Sequence, residues 1–562
     1  MSRLAWFAVL SLPGALLAID CGSADLIVTN GHIITMDDTR RVVSAAAVRD
    51  GKFVAVGDAR QIAACAGKDT RRVDLGGRTV LPGFIDVHTH AHEWSNGIVR
   101  GDVDASAAKV HSIAEIVAAV AQQAKARKPG QWVLGFGWDD EKLAEHRYIT
   151  RQDLDKVAPN VPVLLTHVTG HLDAANSVAL KLAGITRDTP NPPGGEIEHD
   201  ANGEPTGVVK DTAMRVVESH EPADPPDLSA RAARYASEQA AAVGLTTIHD
   251  IWGGSVPFAE TMRGYQEAYR KGWLKIRVQM APGVANVADA ERLAESGLYT
   301  GFGDDHLKLG AVKMFADGGM GARTIAIYPP GLMENGHENL GLLLWRPADM
   351  QKAQLILARA GWQLSTHAIG DRAMDEVLDS YAYVTQQLGL TEPRFRIIHG
   401  GLSTPAILKR LREQHVLVDS NPGFVYWISK FFDKYGPERI RWAYPGRSYF
   451  DNGIVAAATT DVFVTPISPW PGLYAAVERR AIGTGKLYAP EERLPVLKAL
   501  EMFTRNPAYI GFEEKKKGSI EAGKLADFIV IDRDVLSVPS NELKDVKVLS
   551  TWVGGEQVFE AR

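Results

Sequence analysis

The stretch Leu81-Pro82-Gly83-Phe84-Ile85-Asp86-Val87-His88-Thr89-His90 decides how the chain is read. It is an apolar run that ends in two histidines one residue apart. In an extended strand alternate side chains share a face, so both imidazoles project the same way and form a two-nitrogen chelate. Counted from Thr79 to His90, it is the first of eight such runs. The others are Gly244 to Asp250, Lys275 to Ala281, Gly310 to Asp317, Gln363 to Ile369, Arg394 to Gly400, His415 to Asn421 and Ile454 to Asp461. Longer helical stretches separate them, which is the pattern of parallel βαβ units. Eight units predict an α/β chain folded as a (β/α)8, TIM-like barrel, whose strand C-terminal ends converge on one mouth.

Five of the eight runs carry residues suited to metal chemistry. The first ends in His88 and His90, the fifth reaches His367, the sixth reaches His399, and the eighth ends in Asp461. The fourth places Lys313 in an apolar strand, where an unpaired ammonium is costly to bury. Without thiolate, neutral imidazole and carboxylate are the donors that zinc and its relatives accept. A single histidine on a strand is more often a core or capping residue. Four at successive strand ends, with an aspartate, predict a divalent metal centre of one or two ions, zinc being the expected metal.

The interval between the first two runs holds its own strand-like segments, Trp132 to Gly137 and Val163 to Val168, and is read as an inserted subdomain over about 95–238. Short β-rich runs near both chain ends predict a composite β-sandwich domain from residues 25–81 with 515–562, leaving 82–514 as the barrel with its insertion. At the start, Arg3 precedes the apolar stretch Leu4 to Leu17, the size of a secretory h-region. Residues 1–24 are therefore expected to be a signal peptide, cleaved after Ala18 or Ala24, and the protein to be exported to the periplasm or beyond. Asp20 argues against lipid attachment at Cys21. With two cysteines, and Cys65 left alone by cleavage after Ala24, a disulfide framework is excluded, and so is a cysteine zinc site. No later segment reads as a membrane span.

With 45% hydrophobic and 23% charged residues, the composition is that of a globular chain rather than a disordered one. The net charge of -6 is spread along the chain, and the basic run Lys515 to Lys517 is short, which excludes nucleic acid as the expected partner. A small-molecule substrate is expected instead, and a homo-oligomer is compatible with the sequence.

Longer motifs extend this reading. They are Gly170-His171 with Asn176 following, Gly194-Gly195 to Gly207, Lys313-Met-Phe-Ala-Asp317-Gly-Gly-Met-Gly-Ala-Arg323-Thr324, His367-Ala-Ile-Gly-Asp-Arg372-Ala and Gly523-Lys-Leu-Ala-Asp-Phe-Ile-Val. Together with the opening stretch they make the chain resemble the amidohydrolase superfamily. Within it they match the amidohydrolase family 3 group, which includes N-substituted formamide deformylase and exoenzyme-like relatives. The resemblance implies that His88 and His90 bind a first metal with Asp461, and that His367 and His399 bind a second. It implies that Lys313 is carbamylated and bridges the ions, the alternative being a lysine paired with Asp317 or Asp461 beside one metal. It also implies roles for His171 and Arg323 at the substrate or the oxyanion, although an arginine so placed equally suits an ion pair with Asp317.

The chemistry that follows is hydrolysis of a carbon–nitrogen bond, in a non-peptide amide, N-formyl group, cyclic amide or carbamate, by metal-activated water. Asp461 is expected to take the proton of the attacking water and deliver it to the leaving amine. A mononuclear deaminase or an esterase uses the same donors, and a barrel retained as a binding protein is the non-enzymatic alternative. His249 and Asp250 are read either as orienting groups or as a buried pair bracing a strand. Trp138, Phe136 and Tyr148 are read as pocket lining or core. Two departures from the family pattern, Thr460-Asp461-Val-Phe for serine-aspartate followed by proline and Asp317-Gly-Gly for Asp-Gly-Ser, alter the mouth while leaving every expected ligand in place.

Overall fold

The computed structural model describes residues 21–562 apart from 129, 226, 254–257 and 335. Residues 1–20 of the expected signal peptide lie outside the described residues. The middle of the chain is α/β. Strands β1 (Phe84–Thr89), β2 (Leu245–Ile251) and β3 (Arg277–Ala281) form one parallel arc, extended by Leu307–Leu309 beside β3. Strands β4 (Val312–Phe315), β5 (Leu364–Ala368), β6 (Arg396–His399), β7 (Leu417–Ser420) and β8 (Ala456–Ala458) form a second parallel arc in chain order. Every residue of β2 is buried, as expected of a parallel strand covered on both faces.

The arcs are bonded to each other at both seams. At one, the Lys313 amide donates to the Pro282 carbonyl at 2.7 Å and the Val284 amide to the Lys313 carbonyl at 3.0 Å. At the other, the Asp461 amide donates to the His88 carbonyl at 3.2 Å, and the Thr459 hydroxyl donates to that same carbonyl. The buried carboxylate of Asp86 accepts from the Thr460 amide at 2.9 Å, the Thr460 hydroxyl at 2.6 Å and the His88 amide at 3.1 Å. The second seam thus braces the segments that carry His88, His90 and Asp461.

The first sequence run divides where one strand was expected. Thr79–Pro82 pairs antiparallel with Phe528–Ile531, and only Phe84–Thr89 joins the arc. Gly83 makes the break: a Cβ there would lie 2.2 Å from the Thr246 hydroxyl, so the backbone passes too close to β2 for any side chain.

Two further groups of strands flank the arcs. Between β1 and β2 lies a six-stranded sheet in the order Gly195–His199, Pro205–Asp211, Leu172–Ala175, Val163–His167, Val133–Trp138, Val103–Asp104. A second six-stranded sheet draws Thr79–Pro82, His32–Ile34 and Val42–Val43 from the first hundred residues and Phe528–Ile531, Val548–Val553 and Glu556–Glu560 from the last forty. It packs Phe528 and Trp552 against Phe53 of a four-stranded neighbour. Arg277 of β3 fastens this end to the arcs, donating to both oxygens of Asp527 at 2.7 and 2.9 Å with both side chains buried.

The cysteine reading is corrected. Cys21 and Cys65 form a disulfide across 44 residues. Ala24–Thr29 runs parallel to Ala66–Asp74, with Ala24 paired to Ala66 and the Ala24 amide donating to the Cys65 carbonyl. The two cysteines just ahead of these strands are therefore brought together by register. Among the described residues no helix is long and apolar enough to cross a membrane.

Candidate metal centre

Three donor atoms meet at the strand ends. His88 Nε2 and His90 Nε2 lie 3.3 Å apart, and Asp461 Oδ1 lies 3.4 Å from each. Four ligands at the ~2.0–2.1 Å typical of zinc–nitrogen and zinc–oxygen bonds stand about 3.3–3.4 Å from one another in a tetrahedron. The triangle has that edge. His90 Nδ1 donates to the Ile251 carbonyl at 2.9 Å, which leaves its Nε2 lone pair facing the site. Asp461 Oδ1 is buried with no hydrogen bond, as a carboxylate oxygen reserved for a cation would be. The residues therefore fit a divalent ion.

His399 and His367 extend the cluster. His399 Nδ1 is held by Asn421 Oδ1 at 2.8 Å, and its ring lies 5.3 Å from that of His88 and 4.5 Å from that of His367. His88, His399 and Asp461 offer donors within one ion's reach. His367 stands further back, with Nε2 3.2 Å from the Gly318 carbonyl and 3.4 Å from Asp317 Oδ1. Burial, then the Lys313 charge, holds His88, His90 and His399 below the ordinary histidine range, and burial, then His399, does so for His367. All four are neutral imidazoles, the form that ligates.

Lys313 is fully buried, with Nζ 3.4 Å from His88 Nε2 and 4.2 Å over the Phe315 ring. Burial pulls its ammonium down to about 7, against the opposing pull of Asp461. Burial likewise pushes the Asp461 carboxyl up to about 7, against Lys313. The two groups oppose each other's shifts and so titrate as a pair. Asp317 does not pair with Lys313: its oxygens accept from the amides of Ala326, Ile369 and Gly370 at 2.8 to 3.0 Å, which fixes the turn after His367.

The other sequence candidates separate. His171 comes from the insertion, lies 5.0 Å ring to ring from His367, and hydrogen-bonds Asp211 Oδ1 at 2.8 Å. Asp211 is a site residue that the sequence reading missed, since forty residues separate it from its partner and nothing in their spacing links them. Gly319 explains the Asp317-Gly-Gly departure, because a Cβ there would lie 2.8 Å from the His171 ring. Arg323 lies apart from the cavity lining, 5.4 Å over the Tyr148 ring. Phe136 lines the cavity, whereas Trp138 is buried in the core of the insertion and donates to the Leu165 carbonyl. Asp250 braces its strand, accepting from Tyr265 at 2.8 Å, and His249 is buried with neither ring nitrogen bonded.

His399, Asp461 and Asp211 hold left-handed backbone conformations, with φ of 72°, 55° and 49°. Such conformations cost about 1–3 kcal/mol each in a non-glycine residue and concentrate where function demands them. All three residues line one cavity of about 1520 Å³, counting its open mouth, together with His90, Lys313, His171 and His367. A second acidic group, Asp139, Asp140 and His167, lies in the insertion, but it is satisfied internally: His167 bonds Asp140 and Thr169, and Asp139 pairs with Lys142.

Similarity to known proteins identifies the family. The chain is 28% identical over 549 residues to N-substituted formamide deformylase of Arthrobacter pascens, covering 95% of this chain and 98% of that one. It is 30% identical over 551 residues to YtcJ of Bacillus subtilis (strain 168), covering 94% and 98%. Among solved structures, an uncharacterized metal-dependent hydrolase of Pyrococcus horikoshii OT3 superposes with a TM-score of 0.71 at 25% identity, over 92% of this chain and 99% of that one. The profile of the Amidohydrolase family matches residues 71–559. The chain thus belongs to the amidohydrolase family, and it is a metal-binding hydrolase of carbon–nitrogen bonds other than peptide bonds.

Proposed function

We propose that the two arcs close into one (β/α)8 barrel, with the terminal sheets as a composite β-sandwich domain and residues of about 95–238 as an insertion over its mouth. At that mouth His88, His90 and Asp461 hold a divalent ion, expected to be zinc, and His399 and His367 offer donors for a second. When bound, such an ion makes water acidic enough to attack at neutral pH and polarises a carbonyl.

The chain's own groups do the rest. Asp461 accepts the proton of the attacking water and returns it to the departing nitrogen, for which its place beside His88 and His90 at the strand ends suits it. His171, oriented by Asp211, faces the developing oxyanion from the insertion side. Lys313, with an amine that gives up its proton near neutrality, suits carbamylation. The substrate is a small molecule with a non-peptide amide, N-formyl, cyclic amide or carbamate bond, since the N-substituted formamide deformylase relative points to that class. Export with cleavage after Ala18, which keeps Cys21, suits the Cys21–Cys65 disulfide, which persists in an oxidising compartment.

The observation that carries this reading is the 3.3–3.4 Å triangle of donors at the strand ends. Its test is Asp461→Asn, assayed with elemental analysis on a panel of formamides, cyclic amides, carbamates and esters. Metal retained with turnover reduced about a thousandfold is the expected outcome, within the range of a lost general base. A metal-loaded variant with full activity contradicts it, and cleavage of esters alone contradicts the bond class.

A further inference from the structure

Two cavities meet at the strand ends. The larger, of about 1520 Å³, reaches the surface at the exposed Ala285. A smaller one, of about 350 Å³ counting its open mouth, joins it at His171, His367, His399 and Asp461, which line both. Apart from His171, every residue around the smaller cavity is buried. Met320, Ile369, Phe424, Ile428 and Val464 give it apolar walls, and neither lysine nor arginine lines it. It is a recess that opens toward the candidate metal centre.

Two hydroxyl side chains line this recess. That of Thr169 is engaged by His167 Nδ1 at 2.8 Å. That of Tyr444 is buried and has no hydrogen-bond partner among the described residues. Tyr444 belongs to the segment between β7 and β8, and its backbone is fixed from both sides. Its amide donates to the Gly401 carbonyl at 2.9 Å, and its own carbonyl accepts from the buried Arg479 at 2.9 Å. With φ of 49° it shares the left-handed conformation of His399 and Asp461. Its ring meets Phe424 edge-on at 5.5 Å, and Phe424 stacks at 6.0 Å on His399.

The ring of Tyr444 is thus packed and its backbone clamped, while nothing in the protein takes its hydroxyl. A buried hydroxyl without a partner costs stability, and phenylalanine would fill the same space without that cost. A partner that arrives with the substrate accounts for the hydroxyl. Burial, then the Asp461 charge, keeps the phenol well above the ordinary tyrosine range, so its proton stays in place and it donates.

Hydrolysis joins the water oxygen to the carbonyl carbon, breaks the carbon–nitrogen bond and moves one water proton to the nitrogen. The freed amine needs a way out, which the larger cavity provides. The acyl side stays beside the strand-end donors, where the recess begins. We propose that the recess seats the acyl side of the substrate and that Tyr444 determines specificity there, donating a hydrogen bond to an oxygen carried by a short, uncharged acyl chain. The proposal rests on the hydrolase reading given above and names its substrate class, amides of short oxygen-bearing acids. An alkanoyl chain of the same shape would leave the Tyr444 hydroxyl stripped of water without a partner, and sites built around such a bond reject the analogue that lacks it.

The test compares the methoxyacetyl and butanoyl amides of p-nitroaniline, which match in length, on metal-loaded wild type and Tyr444→Phe. Dividing the wild-type preference for methoxyacetyl by that of the variant cancels the intrinsic reactivity of the two carbonyls. The quotient in kcat/KM is expected to be about tenfold or more. Changing the amine while keeping the acyl group is expected to affect both enzymes alike. A quotient near unity, or a tyrosine dependence that follows the amine, overturns the proposal. Tyr444→Phe is expected to melt no lower than wild type, and a clear loss of stability assigns the hydroxyl a partner within the fold and overturns it as well. Should no amide be cleaved, the reaction reading fails while the recess is still decided by melting curves with methoxyacetohydroxamic and butanohydroxamic acids. The former must stabilise the wild-type holoenzyme more, and Tyr444→Phe must close the gap; equal shifts in wild type, or a gap that survives in the variant, overturn it.

Discussion

Replacing Glu513 with glutamine removes the negative charge that holds two lysines beneath the strands. Its carboxylate contacts Lys308 and lies 2.8 Å from Lys517 Nζ, and Gln279 Nε2 donates to it at 2.7 Å. The Glu513 and Lys517 side chains are 2% and 3% exposed, so solvent screens them little. Burial pushes the Glu513 carboxyl up, and Lys517 and Lys308 together overcome that and hold it at about 2 against an ordinary 4.5. The difference of about 2.5 units is worth about 3 kcal/mol at ~1.36 kcal/mol per unit. Lys517 loses more to burial than Glu513 returns to it, so about 3 kcal/mol is the ceiling for the pair.

The sign is that of a depressed carboxyl. The stabilisation is complete above the unfolded value of 4.5 and drains away as pH falls from there toward about 2. Calorimetric melts of wild type and Glu513→Gln, equally metal-loaded, are expected to differ most at neutral pH and to converge toward about pH 3. No gap at neutral pH, or a gap that stays constant on acidification, refutes the reasoning.

Two other expectations follow from single contacts. Asn421→Ala frees the His399 ring from the bond that orients it and is expected to weaken metal affinity about 10–100-fold, read by competition with a chelating dye; unchanged affinity contradicts it. Thiol titration without reductant should find no free cysteine, and Cys65→Ser should cost up to about 4 kcal/mol on the loop-entropy relation for a 44-residue separation, whereas an unaltered melting profile argues against the bridge.

The candidate donors were legible in position because parallel strands of an α/β chain bring the C-terminal ends of their apolar runs to one side. His88, His90, His399 and Asp461 needed no more than that. Asp211 was hidden because it belongs to an antiparallel sheet of the insertion, where register rather than sequence spacing sets His171 beside it. The disulfide was missed because cleavage was weighed ahead of strand pairing, which places Cys21 against Cys65. The break at Gly83 was hidden by hydropathy, since the residues on both sides of it are equally apolar although they serve different sheets.

Anomalous diffraction from crystals of the zinc-loaded protein, recorded across the zinc edge, tests the central claim most directly. A peak within about 2.0–2.3 Å of His88 Nε2, His90 Nε2 and Asp461 Oδ1 is the predicted result. A peak confined to Asp139, Asp140 and His167, or no bound ion at the strand ends, would contradict it.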